Sequence, residues 1–242
     1  LGLEKHKIRK AFGLVVVNEK FNGLSKNCGG ASVVDKKNIK ELCENANIET
    51  DPNLRTSDLK ADEMRQLFNT ISEKDFSSYD AFICFISSHG NKDGIGGIDH
   101  QLITEDDIIQ PFKKCKTLEG KPKLFFINSC RGEKEDTGNR HAKIVADHVH
   151  PRPPFEADIL VASSSVDVYV SYRTKLGSAF ISKLTEIFHK HAHNMSLTDM
   201  LTIVNNEVSK KEDTDDRRQM PSFTSTLRKA VYFDVPESSE SP

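Results

Sequence analysis

The sequence predicts an α/β fold in three layers, with a central, mostly parallel sheet of about six strands and helices on both faces. Three observations carry that expectation. Unbroken apolar runs such as Ala81-Phe82-Ile83-Cys84-Phe85-Ile86 and Leu124-Phe125-Phe126-Ile127 suit strands covered on both sides, as parallel sheets require. Between such runs lie stretches with apolar residues at helical spacing. Strand and helix patterns alternate along one chain, which is the mark of crossover connections.

Taken in order, residues 11–18 begin the sheet with a β-branched run, Leu14-Val15-Val16-Val17, closed by polar Asn18. A loop rich in Gly, Ser, Lys and Asn follows to Gly30. Val34, Ile39, Leu42 and Cys43 place a helix over 34–43 against the sheet. A short strand is expected within 48–54, where Pro52 interrupts it. Leu59, Met64, Leu67, Phe68 and Ile71 line a second helix, with Asp58 as its N-cap. Residues 81–86 form the next strand, which ends in Ser87-Ser88-His89-Gly90. A glycine-rich loop spans 94–97 and a helix spans 106–112. The loop does not sit directly between a strand and a helix, so a phosphate-binding role is set aside. Lys123 to Asn128 is the central strand, followed by Ser129-Cys130-Arg131-Gly132. Residues 133–155 are charged and end in a proline cluster, the one linker the composition offers. A strand at 158–162 precedes a polar loop through Arg173. Phe180, Ile181, Leu184, Ile187 and Phe188 make a helical stripe, and Ser196 with Asp199 opens the next helix as a capping box. A charged loop over 210–218 leads to a last strand at 227–233. The resulting division is 1–132, a linker at 133–155, 156–235, and a Ser/Glu/Pro tail at 236–242 that is expected to be disordered.

Composition narrows the function. A chain of 242 residues with 36% hydrophobic and 29% charged residues is an ordinary globule, and a net charge of −2 gives no pull toward nucleic acid or an anionic membrane. Five cysteines, with no Cys-x-x-Cys pair, indicate free thiols in a reducing compartment, and the expected location is the cytoplasm. No apolar run is long enough to span a membrane, and no signal peptide opens the chain. The chain starts at Leu1 rather than methionine and is expected to be a fragment.

Cys130 and His89 carry the chemistry. Both stand just beyond the carboxyl ends of strands expected to be parallel, the edge where open α/β sheets bind ligands. A thiol beside an imidazole is the minimal set for thiol-based acyl transfer. His89 would draw the proton from Cys130 and later protonate a leaving amine. Gly90 and Cys130 offer backbone N–H groups for the oxyanion, each donor typically worth about 3 kcal/mol of barrier. A lone cysteine is more often a core residue, and Cys43 and Cys84 are read so, with Cys28 and Cys115 in loops. His189, Lys190, His191, Ala192 and His193 lack an acidic or cysteine partner and end a helix whose dipole favours cations, so no metal is expected. No cofactor is expected either.

The chain resembles the caspases, cysteine endopeptidases that cut after aspartate. The resemblance rests on Asn128-Ser129-Cys130-Arg131-Gly132 against the family signature Gln-Ala-Cys-Arg-Gly, with His89 upstream, and runs from Phe12 to Phe233. It implies the dyad roles of His89 and Cys130, protein substrates, cleavage of the linker after Asp147, and a homodimer or heterodimer formed through the strand at 227–233. It also implies a programme of cell death as the setting. For substrate binding it brings in Ser171, Tyr172 and Arg173, together with Asn128 where the family has glutamine. Guanidinium groups suit a substrate carboxylate because they pair with it in fork geometry. The second arginine of the family pocket has no counterpart in residues 24–33, where Lys26 is the available cation. A catalytically impaired homologue that binds and regulates an active relative is therefore the alternative to an active endopeptidase. A relative specific for basic residues is disfavoured by Arg173, because such pockets need carboxylates.

Overall fold

The computed structural model describes residues 2–21, 30–129, 156–164, 173–174, 177–210 and 219–236. The chain begins with β1 (Lys5–Ile8) and β2 (Ala11–Val17), then α1 (Gly30–Asn45), β3 (Ile48–Thr50) and α2 (Ala61–Ser72). Next come β4 (Ala81–Ser87) and three short strands, β5 (Gly90–Asn91), β6 (Gly94–Gly96) and β7 (Leu102–Ile103), before α3 (Glu105–Lys113) and β8 (Lys123–Asn128). The second half holds β9 (Ile159–Ser163), β10 (Arg173–Thr174), β11 (Gly177–Ser178), α4 (Ala179–His191), α5 (Leu197–Ser209), β12 (Ser222–Ser225) and β13 (Ala230–Phe233).

Six strands form the central sheet in the order β12-β9-β8-β4-β2-β3. All neighbours are parallel except β12, which runs antiparallel to β9. Alternation along each strand fills two cores. Ile83, Phe85, Leu124 and Phe126 face one side, where α1, α4 and α5 supply Ile39, Leu184 and Leu201. Phe82, Cys84, Phe125 and Ile127 face the other, where α2 and α3 supply Phe68 and Phe112. Phe82 stacks on Phe112 with ring centroids 4.1 Å apart, and Phe85 on Phe126 at 5.0 Å. Burying each such side chain is worth about 1.5–3 kcal/mol. Both faces are thus sealed, and polar chemistry is left to the strand ends.

Four local readings change. Asp58 does not cap α2. It adopts φ 52° and accepts the N–H groups of Glu19 and Lys20, while Glu63 reaches back to the Lys60 N–H and Asp99 takes the Ala61 N–H. The glycines at 94–97 do not form a loop. Gly94 and Gly96 lie in β6 of a small antiparallel sheet, β5-β6-β7, where neighbouring backbone comes too close for side chains, and Gly97 follows the strand. β1 has no counterpart among the expected strands. The last strand is shorter than expected and does not edge the central sheet. Asp158 binds the backbone N–H and the guanidinium of Arg228, which lies between β13 and a strand, β12, that precedes the expected segment. β12 then takes the open edge, and β13 pairs in parallel with β1 instead. Among the described residues the central sheet is edged by β12 (Ser222–Ser225) and β3, so residues 227–233 are not the edge through which a second chain was expected to pair. The linker at 133–155 and residues 237–242 of the tail lie outside the described residues. No helix among the described residues is long and apolar enough to cross a membrane.

Candidate active site

Two adjacent parallel strands, β4 and β8, end side by side. β4 and β8 run in register from Phe82 opposite Lys123 to Ser87 opposite Asn128, and Asn128 O accepts the Ser88 N–H at 3.1 Å. His89 lies two residues beyond Ser87, partly exposed. Ser129, one residue beyond Asn128, is 3% exposed. Cys130, Asp147, Ser171 and Tyr172 lie outside the described residues, as does Lys26. Arg173 is placed by its backbone in β10, opposite Ser178 of β11.

His89 stands on a rigid platform. Its carbonyl accepts the Gly96 N–H at 2.8 Å, and a side chain at Gly96 would press within 3.3 Å of that carbonyl. Ser88 Oγ donates to Gly96 O at 2.6 Å. The buried Asn18 side chain donates to Gly96 O and Leu59 O and accepts the Leu59 N–H. Asn18 thus ties the end of β2, the start of α2 and the β6 strand into one unit. Buried hydrogen bonds of this sort are worth about 1 kcal/mol each and are costlier to break than to forgo. Phe21 covers the imidazole with ring centroids 4.5 Å apart, and a recess of 190 Å³ opens between Phe21, His89, Gly90, His100 and Leu102.

Asn128 is fully buried, and its amide N–H groups are committed inward, to Ser87 Oγ at 3.1 Å and Asp35 Oδ2 at 3.4 Å. Its Oδ1 finds no hydrogen-bond partner. On the far side, Ser164 Oγ donates to Ser129 O, and the buried Gln219 amide donates to Ser164 O. Asn18, Phe21, Asp35 and Gln219 were not singled out by the sequence reading. Asp35 had a legible signal, because Ala31, Asp35, Ile39 and Leu42 share one helical stripe that is otherwise apolar.

The other cysteines offer no rival nucleophile among the described residues. Burial pushes the Cys43 thiol up to about 12, and burial pushes that of Cys84 higher still, so neither forms a thiolate near neutrality. Cys115 packs at the turn after α3 against Thr117 Oγ1 at 3.3 Å. Among the described residues no group of three side chains is arranged to hold a metal ion.

Comparison with known proteins agrees with this geometry. A family model described as the caspase domain matches residues 10–232. Caspase-3 of Bos taurus is 33% identical, with 91% of this chain and 83% of the bovine chain covered. Caspase-3 of Xenopus laevis is also 33% identical, over 91% of this chain and 79% of its own. Caspase-6 of Gallus gallus is 33% identical over 73% of this chain and 65% of its own.

Proposed function

The chain belongs to the caspase family, and from that premise we propose that it is an active cysteine endopeptidase that cleaves proteins after aspartate, with Cys130 as nucleophile and His89 as base. The observation that carries the reading is the register of β4 and β8. Ser87 lies opposite Asn128, and in the sequence His89 and Cys130 each follow those strand ends by two residues. Neighbouring strands are about 4.8 Å apart, which supports a reading in which the imidazole and the thiol act at one edge.

In this mechanism His89 takes the thiol proton and the Cys130 sulfur attacks the scissile carbonyl carbon. The N–H groups of Gly90 and Cys130 receive the oxyanion. As the C–N bond breaks, His89 returns its proton to the leaving amine. Water then attacks the thioester, activated by the same imidazole, and releases the acid and the free thiol. The buried seat of Ser88, Gly96 and Asn18 beneath His89 supports this role because it fixes the ring's backbone before substrate arrives. Arg173 pairs with the substrate aspartate, flanked by Ser171 and Tyr172, and Asn128 lies beneath that pocket. Cleavage after Asp147 converts a zymogen into two subunits, the open edge of β12 joins a second copy or another caspase, and the setting is apoptosis in the cytoplasm.

A second reading is favoured by one specific observation. Asn128 spends its donors on Asp35 and Ser87, and residues 24–33 hold no arginine, so aspartate recognition rests on fewer charged contacts. In that reading the chain is an impaired homologue that pairs with and regulates an active caspase. One experiment separates the two: purified protein is incubated with fluorogenic aspartyl tetrapeptides, and with a partner caspase and its substrate. Turnover lost by at least about a thousandfold in Cys130→Ala supports the endopeptidase. No turnover, with partner activity changed equally by wild type and Cys130→Ala, supports the regulator.

A further inference from the structure

A charged residue sits where α1 should be apolar. Asp35 is fully buried on the stripe that also carries Ala31, Ile39 and Leu42. An ionised carboxylate in such a place is costly unless it is hydrogen-bonded, and two of its partners come from distant parts of the chain. The backbone N–H of Ser178 donates to Oδ1 at 2.8 Å, and the amide of Asn128 donates to Oδ2 at 3.4 Å. Asn128 ends β8, whereas Ser178 closes the β10-β11 hairpin opposite Arg173 and caps α4 by accepting the Ile181 N–H on its Oγ. A second, independent feature protects the contact. Gly177 has φ +96°, and a side chain there would come within 2.8 Å of Asp35 Oδ1 and 3.2 Å of Val34. Only glycine leaves the carboxylate room to reach the Ser178 N–H.

We propose that Asp35 is the positioning residue of the substrate pocket: its carboxylate clasps the hairpin carrying Arg173 to the end of β8, so that the pocket is held in register across the two halves of the chain. The inference rests on the endopeptidase reading above for its effect on substrate, but the clasp itself does not depend on turnover. In this scheme Asp35 takes no part in the chemistry at the thiol or the scissile bond. Its loss loosens binding of the substrate aspartate while leaving the chemistry of the dyad in place.

The test compares intact wild type with Asp35→Ala, Asp35→Asn and Gly177→Ala. Hydrogen exchange at the Ser178 amide reads the clasp, KM and kcat for an aspartyl tetrapeptide read the pocket, and alkylation of Cys130 by iodoacetamide reads the thiol. For Asp35→Ala the expected result is about tenfold faster exchange and about tenfold higher KM, as for loss of a hydrogen bond to a charged group. Alkylation is unchanged and kcat falls much less than KM rises. Asp35→Asn keeps an acceptor for the Ser178 N–H and lies between, and Gly177→Ala behaves like Asp35→Ala. Wild-type exchange at Ser178 in a folded Asp35 variant overturns the proposal, and so does an equal loss in kcat and alkylation rate. If Asp35→Ala does not fold, Asp35→Asn decides by the same criteria. Absence of turnover in wild type overturns the endopeptidase reading alone, and the exchange arm still decides on the clasp.

Discussion

The two ends of the central sheet bury polar groups in opposite ways. At the amino end, Lys123 is 5% exposed and donates to the carbonyls of Lys121 and Leu118, while Asp158, also 5% exposed, has both carboxylate oxygens taken by Arg228. Burial alone would push the Asp158 carboxyl up, but the hydrogen bonds and charge of Arg228 outweigh it and hold the group below the usual carboxylate range. At the carboxyl end, Asp35 and Asn128 are just as buried, yet Asn128 Oδ1 and Ser32 Oγ find no hydrogen-bond partner. Saturated polar groups hold strands together, whereas a buried acceptor without a partner costs stability. The difference is that buried polar groups at the amino end are paired, whereas two buried oxygens at the carboxyl end are not.

That contrast can be broken by mutation. The largest effect is expected from His89→Ala, which should lower kcat by about 10²- to 10⁴-fold with little change in melting temperature; single-turnover kinetics on aspartyl peptide checks it. At the opposite end, Asp158→Asn keeps a residue that tolerates the left-handed φ of 63° but loses the charge. It should cost about 2 kcal/mol, discounted because Arg228 is half exposed, with KM unchanged. Urea unfolding measures this loss. The pH dependence follows from the same pair. Because the folded-state carboxyl is depressed, its stabilisation is present above the unfolded value of about 3.9 and is lost as pH falls through the lower folded value. Asp158→Asn should therefore flatten acid unfolding below about pH 4. The smallest effect is expected from Phe21→Leu, which keeps apolar volume but removes the ring that covers His89. A drop in kcat of about threefold, with stability changed by under about 1.5 kcal/mol, is the anticipated result.

Much of this was legible in the residues. The strands ending at Ser87 and Asn128 announce themselves as consecutive apolar runs, because both faces of a parallel sheet are covered. His89 and Cys130 stand just past those runs in the sequence, which is why they are proposed as the dyad. Asp35 was passed over because a single charge in a helix reads as solvent-facing unless its phase against Ala31 and Ile39 is counted. Asp58 looked like a cap by residue type, but the choice between it and Lys60 depended on Glu19 and Lys20, which arrive from another strand. The turn between β12 and β13 was hidden for the same reason. Arg228 there binds Asp158, which lies far from it along the chain.

Local pattern alone therefore determined the three-layer α/β fold and the two central strands, because burial period and strand termini are written in neighbouring residues. Only the tertiary structure decided which strand leaves an open edge, how Asn18 and Phe21 seat His89, and that Asp35 reaches both Asn128 and Ser178. These are contacts between residues far apart in the chain, and their geometry is set by packing across the sheet, which no window of adjacent residues contains.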